Sequence, residues 1–195
     1  MIKPTMYLFF GAQGSGKSTQ AEILADKLEL PIYNTGNELR KFISGDSDEA
    51  RRVHEIVTSG ALVESSVIEK IFREFIKNND VSRGIVLDGL PRNMEQCPLV
   101  EGVANEHDWP MVAVYIEITD QTAKNRISKR TVIVNGKEEM REDDKPEILE
   151  KRLATFKAET LPVLNWFKCH QKLVIIDGEP KIEDVTKLML EAVGE

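Results

Sequence analysis

Short apolar runs alternate with amphipathic stretches along this chain. The runs cover residues 6–10, 30–33, 84–88, 111–118 and 173–177. Each run is short and mostly apolar, as expected for a strand that is covered on both faces. Helical patterns separate successive runs, and this order is typical of parallel strands joined through helices. We therefore expect an α/β fold with a parallel five-stranded sheet and helices on both faces.

Apolar residues recur at helical spacing between these runs. The strongest pattern covers residues 63–77, and two weaker patterns over 36–59 are separated near Gly45. Further helices are expected over about 18–30, 120–130, 181–193 and from Pro146 to beyond Leu164. Pro162 should kink or interrupt the long helix because it has no N–H to donate. The expected buried face of the C-terminal helix comprises Ile182, Val185, Leu188, Met189 and Ala192.

The segment 131–144 departs from this alternation. Asn135-Gly136 lies between short polar flanks, and this dipeptide is typical of a tight hairpin turn. The rest of the chain has no repeat, low-complexity tract or linker. With 195 residues, the sequence therefore predicts a single domain over residues 1–195 that carries small insertions.

Composition narrows the class of protein. The net charge of −7 disfavours a broad nucleic-acid-binding surface, and no basic block is present. No apolar stretch has the length of a membrane span, and the N-terminus lacks a secretory pattern, so a cytoplasmic protein is expected. Cys97 and Cys169 stand apart without metal-ligand spacing, and we expect both to be reduced and buried.

The first apolar run leads directly into a glycine-rich loop. Residues 11–18 match the phosphate-binding pattern G-x-x-x-x-G-K-[ST], followed by helix-forming residues. Glycines let the backbone approach an anion, and successive N–H groups near a helix N-terminus can bind phosphate oxygens. Lys17 would add a charge near the β- and γ-phosphates, and the Ser18 hydroxyl could help hold Mg²⁺. The alternative is a glycine-rich turn without a ligand, but strand, spacing and helix together favour a P-loop NTPase-type fold that binds a nucleotide.

Charged residues follow other strands. Asp88 ends the third run, where a carboxylate can hold Mg²⁺ directly or through water, although it could instead cap the next turn. Arg92 lies just beyond it, at the end of the sheet where ligands bind in open α/β folds. Arginines near predicted loops could stabilise transferred phosphate or could form surface ion pairs. These are Arg40, Arg92, Arg126, Arg130, Arg141 and Arg152.

Six ordered segments resemble adenylate kinases, a family of nucleoside monophosphate kinases. The similarity extends from about Tyr7 to Val185, almost the whole chain. The segments are the loop at 11–18, Asn34–Arg40, Gly60–Val63, Asp88–Arg92, Arg141–Asp144 and Lys151–Leu153. The resemblance implies reversible transfer of the γ-phosphoryl group of ATP to AMP, with Mg²⁺, giving two ADP. It also implies an AMP-binding insert over about 34–63 and a short lid over about 130–142, which lacks a four-cysteine zinc pattern.

The same resemblance implies a role for individual residues. The expected ATP site comprises Gly14, Ser15, Gly16, Lys17, Ser18, Thr19, Arg126, Arg130 and Gly178. The expected AMP site comprises Thr35, Arg40, Ala61, Leu62, Val63, Gly89, Arg92, Gln96, Arg141 and Arg152. The expected catalytic cations are Lys17, Arg92, Arg130, Arg141 and Arg152. Ser18 and Asp88 would hold Mg²⁺, and no zinc is expected. The partners would be small-molecule nucleotides, without nucleic acid or membrane, and the protein would be a monomer.

Two residues bear on the acceptor base. Gln96 can match the donor and acceptor edge of adenine, whereas the similar uridylate/cytidylate kinases usually have Asn there and Ala at the position of Thr35. Both positions favour AMP, although Gln96 could be a solvated helix residue. A uridylate/cytidylate kinase and a nucleotide-binding switch are the alternatives. The departures from the family pattern are Gln13, Ser18, Asn37, Glu64-Ser65 and Lys129.

Overall fold

The sheet of the protein has five parallel strands, as the sequence predicts. The computed structural model describes residues 3–134, 137–139 and 145–194. The sheet strands are β1 (Thr5–Phe10), β2 (Ile32–Asn34), β3 (Gly84–Asp88), β4 (Met111–Glu117) and, after a separate hairpin, β7 (Leu173–Asp177). Their spatial order is β2-β3-β1-β4-β7. In this order β1 is central and pairs with β3 and β4. The ends of β3 and β4 therefore lie beside the loop that follows Phe10.

Helices connect the strands and cover both faces of the sheet. They are α1 (Lys17–Leu28), α2 (Thr35–Ile43), α3 (Asp48–Thr58), α4 (Ser65–Asn78), α5 (Cys97–Glu106), α6 (Asp120–Ile127), α7 (Pro146–Thr155), α8 (Leu161–Cys169) and α9 (Ile182–Val193). Alternate side chains of β1 point to opposite faces. Met6 and Leu8 join a core that includes Phe72 and Phe167, whereas Phe9 joins a second core beneath α1 and α9.

Local sequence explains several element boundaries. Ser47 caps the N-terminus of α3, because its side chain accepts a hydrogen bond from the N–H of Ala50 at 3.0 Å. Thr119 caps α6 in the same way by accepting the N–H of Thr122. The predicted interruption near Pro162 is confirmed, because a π-helical turn over Phe156–Thr160 separates α7 from α8. The helix α5 follows directly after Met94–Gln96 and was not predicted, although Pro98 at its first turn is a typical start signal.

The polar segment after α6 contains the predicted hairpin. Strands β5 (Val132–Val134) and β6 (Lys137–Glu139) pair in antiparallel fashion. The predicted turn residues, Asn135 and Gly136, lie outside the described residues. Within the described part of the chain, no helix has both the length and the apolar content needed to cross a membrane.

Two predictions about burial are wrong. Cys97 is buried as expected, but Cys169 is exposed because it is the last residue of α8. On α9, Val185 and Met189 are buried, whereas Ile182 and Leu188 are 58% and 42% exposed, and Ala192 is exposed as well. This helix packs against β7 and α1 at one end of the sheet, so only a narrow stripe of it is covered.

Candidate active site

Three adjoining cavities lie at the ends of the central strands. The inner cavity is bordered by α2, the segment 60–63, Arg92 and the π-helical turn. The cation cavity lies over the loop at residues 11–16 and the start of α1. The side cavity continues past that loop toward Gly178 and α9. The inner and cation cavities meet at positive charges that line both of them, namely Lys17, Arg40, Arg92 and Arg152.

The loop at residues 11–16 has the backbone that its sequence predicts. Gly14 and Gly16 have φ angles of 81° and 86°, a left-handed conformation that favours glycine. A Cβ on Gly14 would lie 3.0 Å from the carbonyl oxygen of Ala123, so the loop also packs closely on α6. Gly16 then leads into α1, whose N-terminus faces the cation cavity. The positive end of a helix dipole therefore points to this cavity.

The cation cavity concentrates positive charge in an acidic protein. Among the described residues, its cationic lining comprises Lys17, Arg40, Arg92, Arg126, Arg130 and Arg152. The acidic lining comprises Glu22 and Asp88. Burial, together with the charges of Asp88 and Asp26, raises the pKa of Glu22, which makes its charged form less favourable here. The excess of cations makes this cavity suited to a polyphosphate.

Lys17 lies at the centre of these charges. Burial lowers the pKa of its ammonium group, although the Asp88 carboxylate opposes the shift. Neighbouring guanidinium groups lower this pKa further, and they belong to Arg92, Arg152 and Arg130. Burial and Arg152 likewise lower the pKa of Arg92. Cations that disfavour one another in this way would all gain from a bound anion.

Asp88 ends β3 and lines the cation cavity. Its Oδ2 accepts a hydrogen bond from Nδ2 of Asn34, which ends the neighbouring strand β2. Its Oδ1 is buried and has no hydrogen-bond partner among the described residues. Thr35 and Gly89 are the first residues after β2 and β3. The hydroxyl group of Thr35 donates to the carbonyl oxygen of Gly89 at 2.9 Å. The ends of β2 and β3 are thus joined through two side chains.

Arg92 is held in the inner cavity by several hydrogen bonds. Its Nε donates to the carbonyl oxygen of Gly89 at 3.0 Å, and its own carbonyl oxygen accepts from Thr160 Oγ1 at 2.7 Å. Its backbone N–H donates to Oε1 of Gln96 at 2.8 Å. Gln96 is only 3% exposed and lines the inner cavity, so its interpretation as a solvated helix residue is wrong.

Arg126 joins the glycine-rich loop to the turn after β7. Its Nη2 donates to the carbonyl oxygens of Gly178 at 2.9 Å and Glu179 at 3.1 Å. Gly178 must be small here, because a Cβ would lie 2.7 Å from Cγ2 of Ile116. Ile182 also lines this side cavity. Its exposed side chain thus borders a cavity, which explains part of the wrong burial prediction for α9.

The structure brings the predicted site residues together. The inner cavity contains Thr35, Arg40, Ala61, Leu62, Val63, Gly89, Arg92, Gln96 and Arg152. The cation and side cavities contain Gly14, Ser15, Gly16, Lys17, Ser18, Thr19, Asp88, Arg126, Arg130, Arg152 and Gly178. Arg141 lies outside the described residues. Two residues that line the cation cavity were not predicted to have a role. They are Gln13, whose buried Oε1 has no partner in the described part of the chain, and Asn34.

Comparison with known proteins agrees with this geometry. A family model described as adenylate kinase matches residues 9–172. The chain belongs to the adenylate kinase family. Similar relatives, each named adenylate kinase, come from three bacterial sources. The protein from Bartonella quintana is 31% identical over 186 residues, covering 93% of this chain and 96% of that protein. Those from Chelativorans sp. and Cyanothece sp. are 31% and 30% identical and cover 92% of this chain, and 94% and 90% of their own lengths.

Membership of the adenylate kinase family is consistent with cavities that adjoin one another. The cation and side cavities lie over the glycine-rich loop, and the start of α1 there offers the N–H groups that suit phosphate. The inner cavity lies beyond the shared cations and is lined by apolar residues such as Leu39 and Val57 in addition to Gln96. A transferase for two nucleotides needs such paired cavities, whereas a nucleotide-binding switch needs only the first.

Proposed function

We propose that this protein catalyses reversible phosphoryl transfer between ATP and AMP, giving two ADP. The observation that carries the proposal is that the inner and cation cavities share the cationic residues Lys17, Arg40, Arg92 and Arg152. A phosphoryl group that passes from one nucleotide to the other would cross this boundary. The transition state carries its charge on the transferred oxygens, and fixed cations at that point stabilise it.

The reaction requires alignment more than acid–base chemistry. An oxygen of the AMP phosphate forms a bond to the γ-phosphorus of ATP, and the bond from that phosphorus to the β,γ-bridging oxygen breaks. The attacking oxygen is already anionic, so no side chain has to remove a proton. We propose that Lys17, Arg92, Arg130, Arg141 and Arg152 supply the stabilising charge. Holding both substrates in line is the larger contribution.

The proposed ATP site follows the loop and the side cavity. Gly14 to Thr19 would bind the phosphates, Arg126 would pack on the adenine, and Gly178 would border the base. The hydrogen bonds from Arg126 to the carbonyl oxygens beyond β7 support this proposal, because they hold the guanidinium group between loop and base region. Arg130 would contact the phosphates from the lid side.

The proposed AMP site is the inner cavity. Arg40 and Arg92 would bind the phosphate, while Thr35, Gly89 and the backbone of 61–63 would border the nucleoside. Gln96 would read the base. Support comes from the hydrogen bond between Arg92 N–H and Gln96 Oε1, because it keeps side by side the two residues that we propose bind the phosphate and the base.

Mg²⁺ fits the residues at the edge of the cation cavity. Asp88 has a buried oxygen without a partner among the described residues, and the Ser18 hydroxyl lines the same cavity. Oxygen ligands of this kind suit Mg²⁺, which usually keeps several waters. We propose that Ser18 and Asp88 hold the ion, directly or through water. When bound, it would offset negative charge on the phosphate oxygens.

We also propose that two inserts close over the substrates. The AMP-binding insert over about 34–63 carries α2 and α3, and the lid over about 130–142 includes the β5–β6 hairpin. Exclusion of water from the transferred group is the physical reason for closure. Distances between spin labels at Ser47 and Lys137 should shorten when two adenosines joined through phosphates are added. An unchanged distance distribution at saturation would contradict closure.

We propose a monomer that acts in the cytoplasm.

A coupled assay for ADP tests the proposed reaction. ATP and Mg²⁺ are supplied with AMP, CMP, UMP or GMP, and the initial rate is measured for each acceptor. Preference for AMP supports an adenylate kinase. Preference for CMP or UMP would instead identify a uridylate/cytidylate kinase on the same fold. Nucleotide binding without transfer to any acceptor would contradict the proposal and favour a nucleotide-binding switch.

A further inference from the structure

Asn34 contacts two parts of the site with one side chain. Its Nδ2 donates to Oδ2 of Asp88, and its Oδ1 accepts the backbone N–H of Asn37 at 2.9 Å. The second bond caps α2, the first helix of the proposed AMP-binding insert. Because a backbone N–H can only donate, it fixes which end of the Asn34 amide is the oxygen. The NH₂ group therefore faces Asp88.

This contact determines how Asp88 presents its carboxylate. One oxygen is occupied by Asn34, and the other is buried without a partner among the described residues. The carboxylate belongs to a residue that is 3% exposed and lines the cation cavity together with Asn34. A terminal carboxylate torsion is soft, so a hydrogen bond on one oxygen is an effective way to orient the other. Residues that orient a ligand in this way can affect metal affinity as much as some ligands do.

We infer that Asn34 is a positioning residue that orients the Asp88 carboxylate at the Mg²⁺ edge of the cation cavity. The inference rests on the proposed function, because that proposal assigns Mg²⁺ to this edge. Asn34 itself contacts neither the transferred phosphate nor the acceptor in this assignment. Its effect passes through Asp88 and should therefore appear as a change in the Mg²⁺ requirement.

Two variants of Asn34 remove the donor in different ways. Asn34→Asp keeps an oxygen that can cap α2 but replaces the NH₂ group with a carboxylate oxygen. Asn34→Ala keeps the charge of the site but removes both the donor and the cap. Only the loss of the hydrogen bond to Asp88 is common to both variants. An effect shared by the two therefore reports on that bond.

Each variant has a matched control on the same insert. Ser44→Asp adds the same charge at the exposed end of α2, at a residue that does not line the three cavities described above. Ser47→Ala removes a side-chain cap of the same kind, at the start of α3, from a residue that does not line the three cavities described above. These controls separate the effects of added charge and of cap loss from the effect on Asp88.

The measurements are ATP binding by calorimetry, with and without Mg²⁺, and the Mg²⁺ concentration that gives half-maximal ADP formation from ATP and AMP. Asn34→Asp and Asn34→Ala should both raise that concentration about 10-fold or more. They should also reduce the gain in ATP affinity that Mg²⁺ gives the wild-type protein. Ser44→Asp and Ser47→Ala should leave the Mg²⁺ requirement within about twofold of wild type, since neither residue touches the carboxylate.

The inference and the proposed function can fail separately. If either Asn34 variant keeps the wild-type Mg²⁺ requirement and Mg²⁺-dependent gain in ATP affinity, Asn34 serves only as a helix cap and the inference is wrong. It is equally wrong if Mg²⁺ gives the wild-type protein no gain in ATP affinity. If the wild-type protein forms no ADP with any acceptor, the proposed function fails, and the calorimetric comparison still decides the role of Asn34.

Discussion

Gln96 accepts the backbone N–H of Arg92 through Oε1 at a distance of 2.8 Å. This bond fixes the orientation of the amide, because the N–H can only donate and Oε1 must be the acceptor. The NH₂ group of Gln96 is then the part of the amide that can donate elsewhere. Adenine offers ring nitrogens as acceptors. The bond therefore leaves a donor for the acceptor base that we propose binds in this cavity, beside the arginine proposed to bind its phosphate.

Gln96→Glu should weaken AMP recognition while keeping the local structure. The carboxylate still accepts the Arg92 N–H but has no NH₂ group to donate to the base. We expect the KM for AMP to rise about 10-fold, the size of one lost hydrogen bond in a buried site. The KM for ATP serves as the internal control and should change little. An unchanged KM for AMP would show that Gln96 has only a structural role.

Arg92→Lys should reduce turnover with AMP although the charge is kept. Arg92 uses Nε to hold Gly89 and can present its remaining donors as a planar fork, which lysine cannot reproduce. We expect kcat/KM for AMP to fall about 100-fold, equivalent to about 2.7 kcal/mol in the transition state. The control is Arg83→Lys, since Arg83 forms an exposed ion pair with Glu29 away from the three cavities. Equal, small effects of both substitutions would argue against a role for Arg92 in transfer.

Lys17→Met should stabilise the nucleotide-free protein while it nearly abolishes transfer. The fold lowers the pKa of Lys17, so the charged ammonium is less favourable in the folded than in the unfolded state. Removing that charge should raise Tm at neutral pH. We expect kcat to fall about 10²–10³-fold because a donor to the transferred phosphoryl group is lost.

The control for Lys17→Met is Lys27→Met, at the exposed last turn of the same helix. A higher Tm and lower kcat in Lys17→Met, but not in Lys27→Met, is the expected pair of results. The lowered pKa of Lys17 also affects how the unfolding free energy of the wild-type protein depends on pH. Between the lowered folded pKa and the ordinary value of 10.5, the unfolded state binds more protons at Lys17, so this residue's contribution to the unfolding free energy rises with pH.

The two cysteines should differ in reactivity and in their effect on stability. Burial raises the pKa of Cys97 to about 11, whereas Cys169 is exposed. A thiol reagent at pH 8 should therefore modify Cys169 rapidly and Cys97 only after unfolding. The unfolded thiol ionises first, near 9.0, so the stabilisation from Cys97 should be lost as the pH rises from about 9 to 11.

Unfolding by denaturant at several pH values tests this linkage. The wild-type protein should lose stability over that alkaline range more steeply than Cys97→Ala, which has no thiol to ionise. Cys169→Ala is the control and should follow the wild-type profile. Rapid modification of both thiols in the folded protein would show that Cys97 is accessible and that the assigned burial is wrong.

The strands and the charged site residues could be predicted from the sequence, whereas the burial of α9 and the presence of α5 could not. The run before Lys17 and the spacing of the glycines are local features, so the first strand, the loop and α1 follow from them directly. The burial of α9 depends instead on how much of a helix the sheet edge can cover, and the exposure of Ile182 could not be predicted from helical spacing. Helix α5 was missed because it begins within one turn of a different helix type.

The contacts of Asn34 show a further limit of sequence reasoning. Its position before a helix signals a cap, but its bond to Asp88 joins residues that are 54 positions apart and meet only because β2 pairs with β3. Gln13 is similar, because its buried Oε1, which has no partner among the residues that the structure describes, depends on the packing around two cavities. Residues that act through tertiary contacts carry little local pattern.

The cations shared by the inner and cation cavities also bear on the reverse reaction. ATP and AMP together carry the same four phosphoryl groups as two ADP. The reaction therefore changes only which nucleotide carries one of these groups. If that group lies at the boundary lined by Lys17, Arg92 and Arg152, its negative charge stays beside the same side chains in both directions. These charges would then stabilise bound ATP plus AMP and bound ADP plus ADP to a similar extent. A single nucleotide, ADP, would be able to fill both halves of the cleft and serve as donor in one and acceptor in the other.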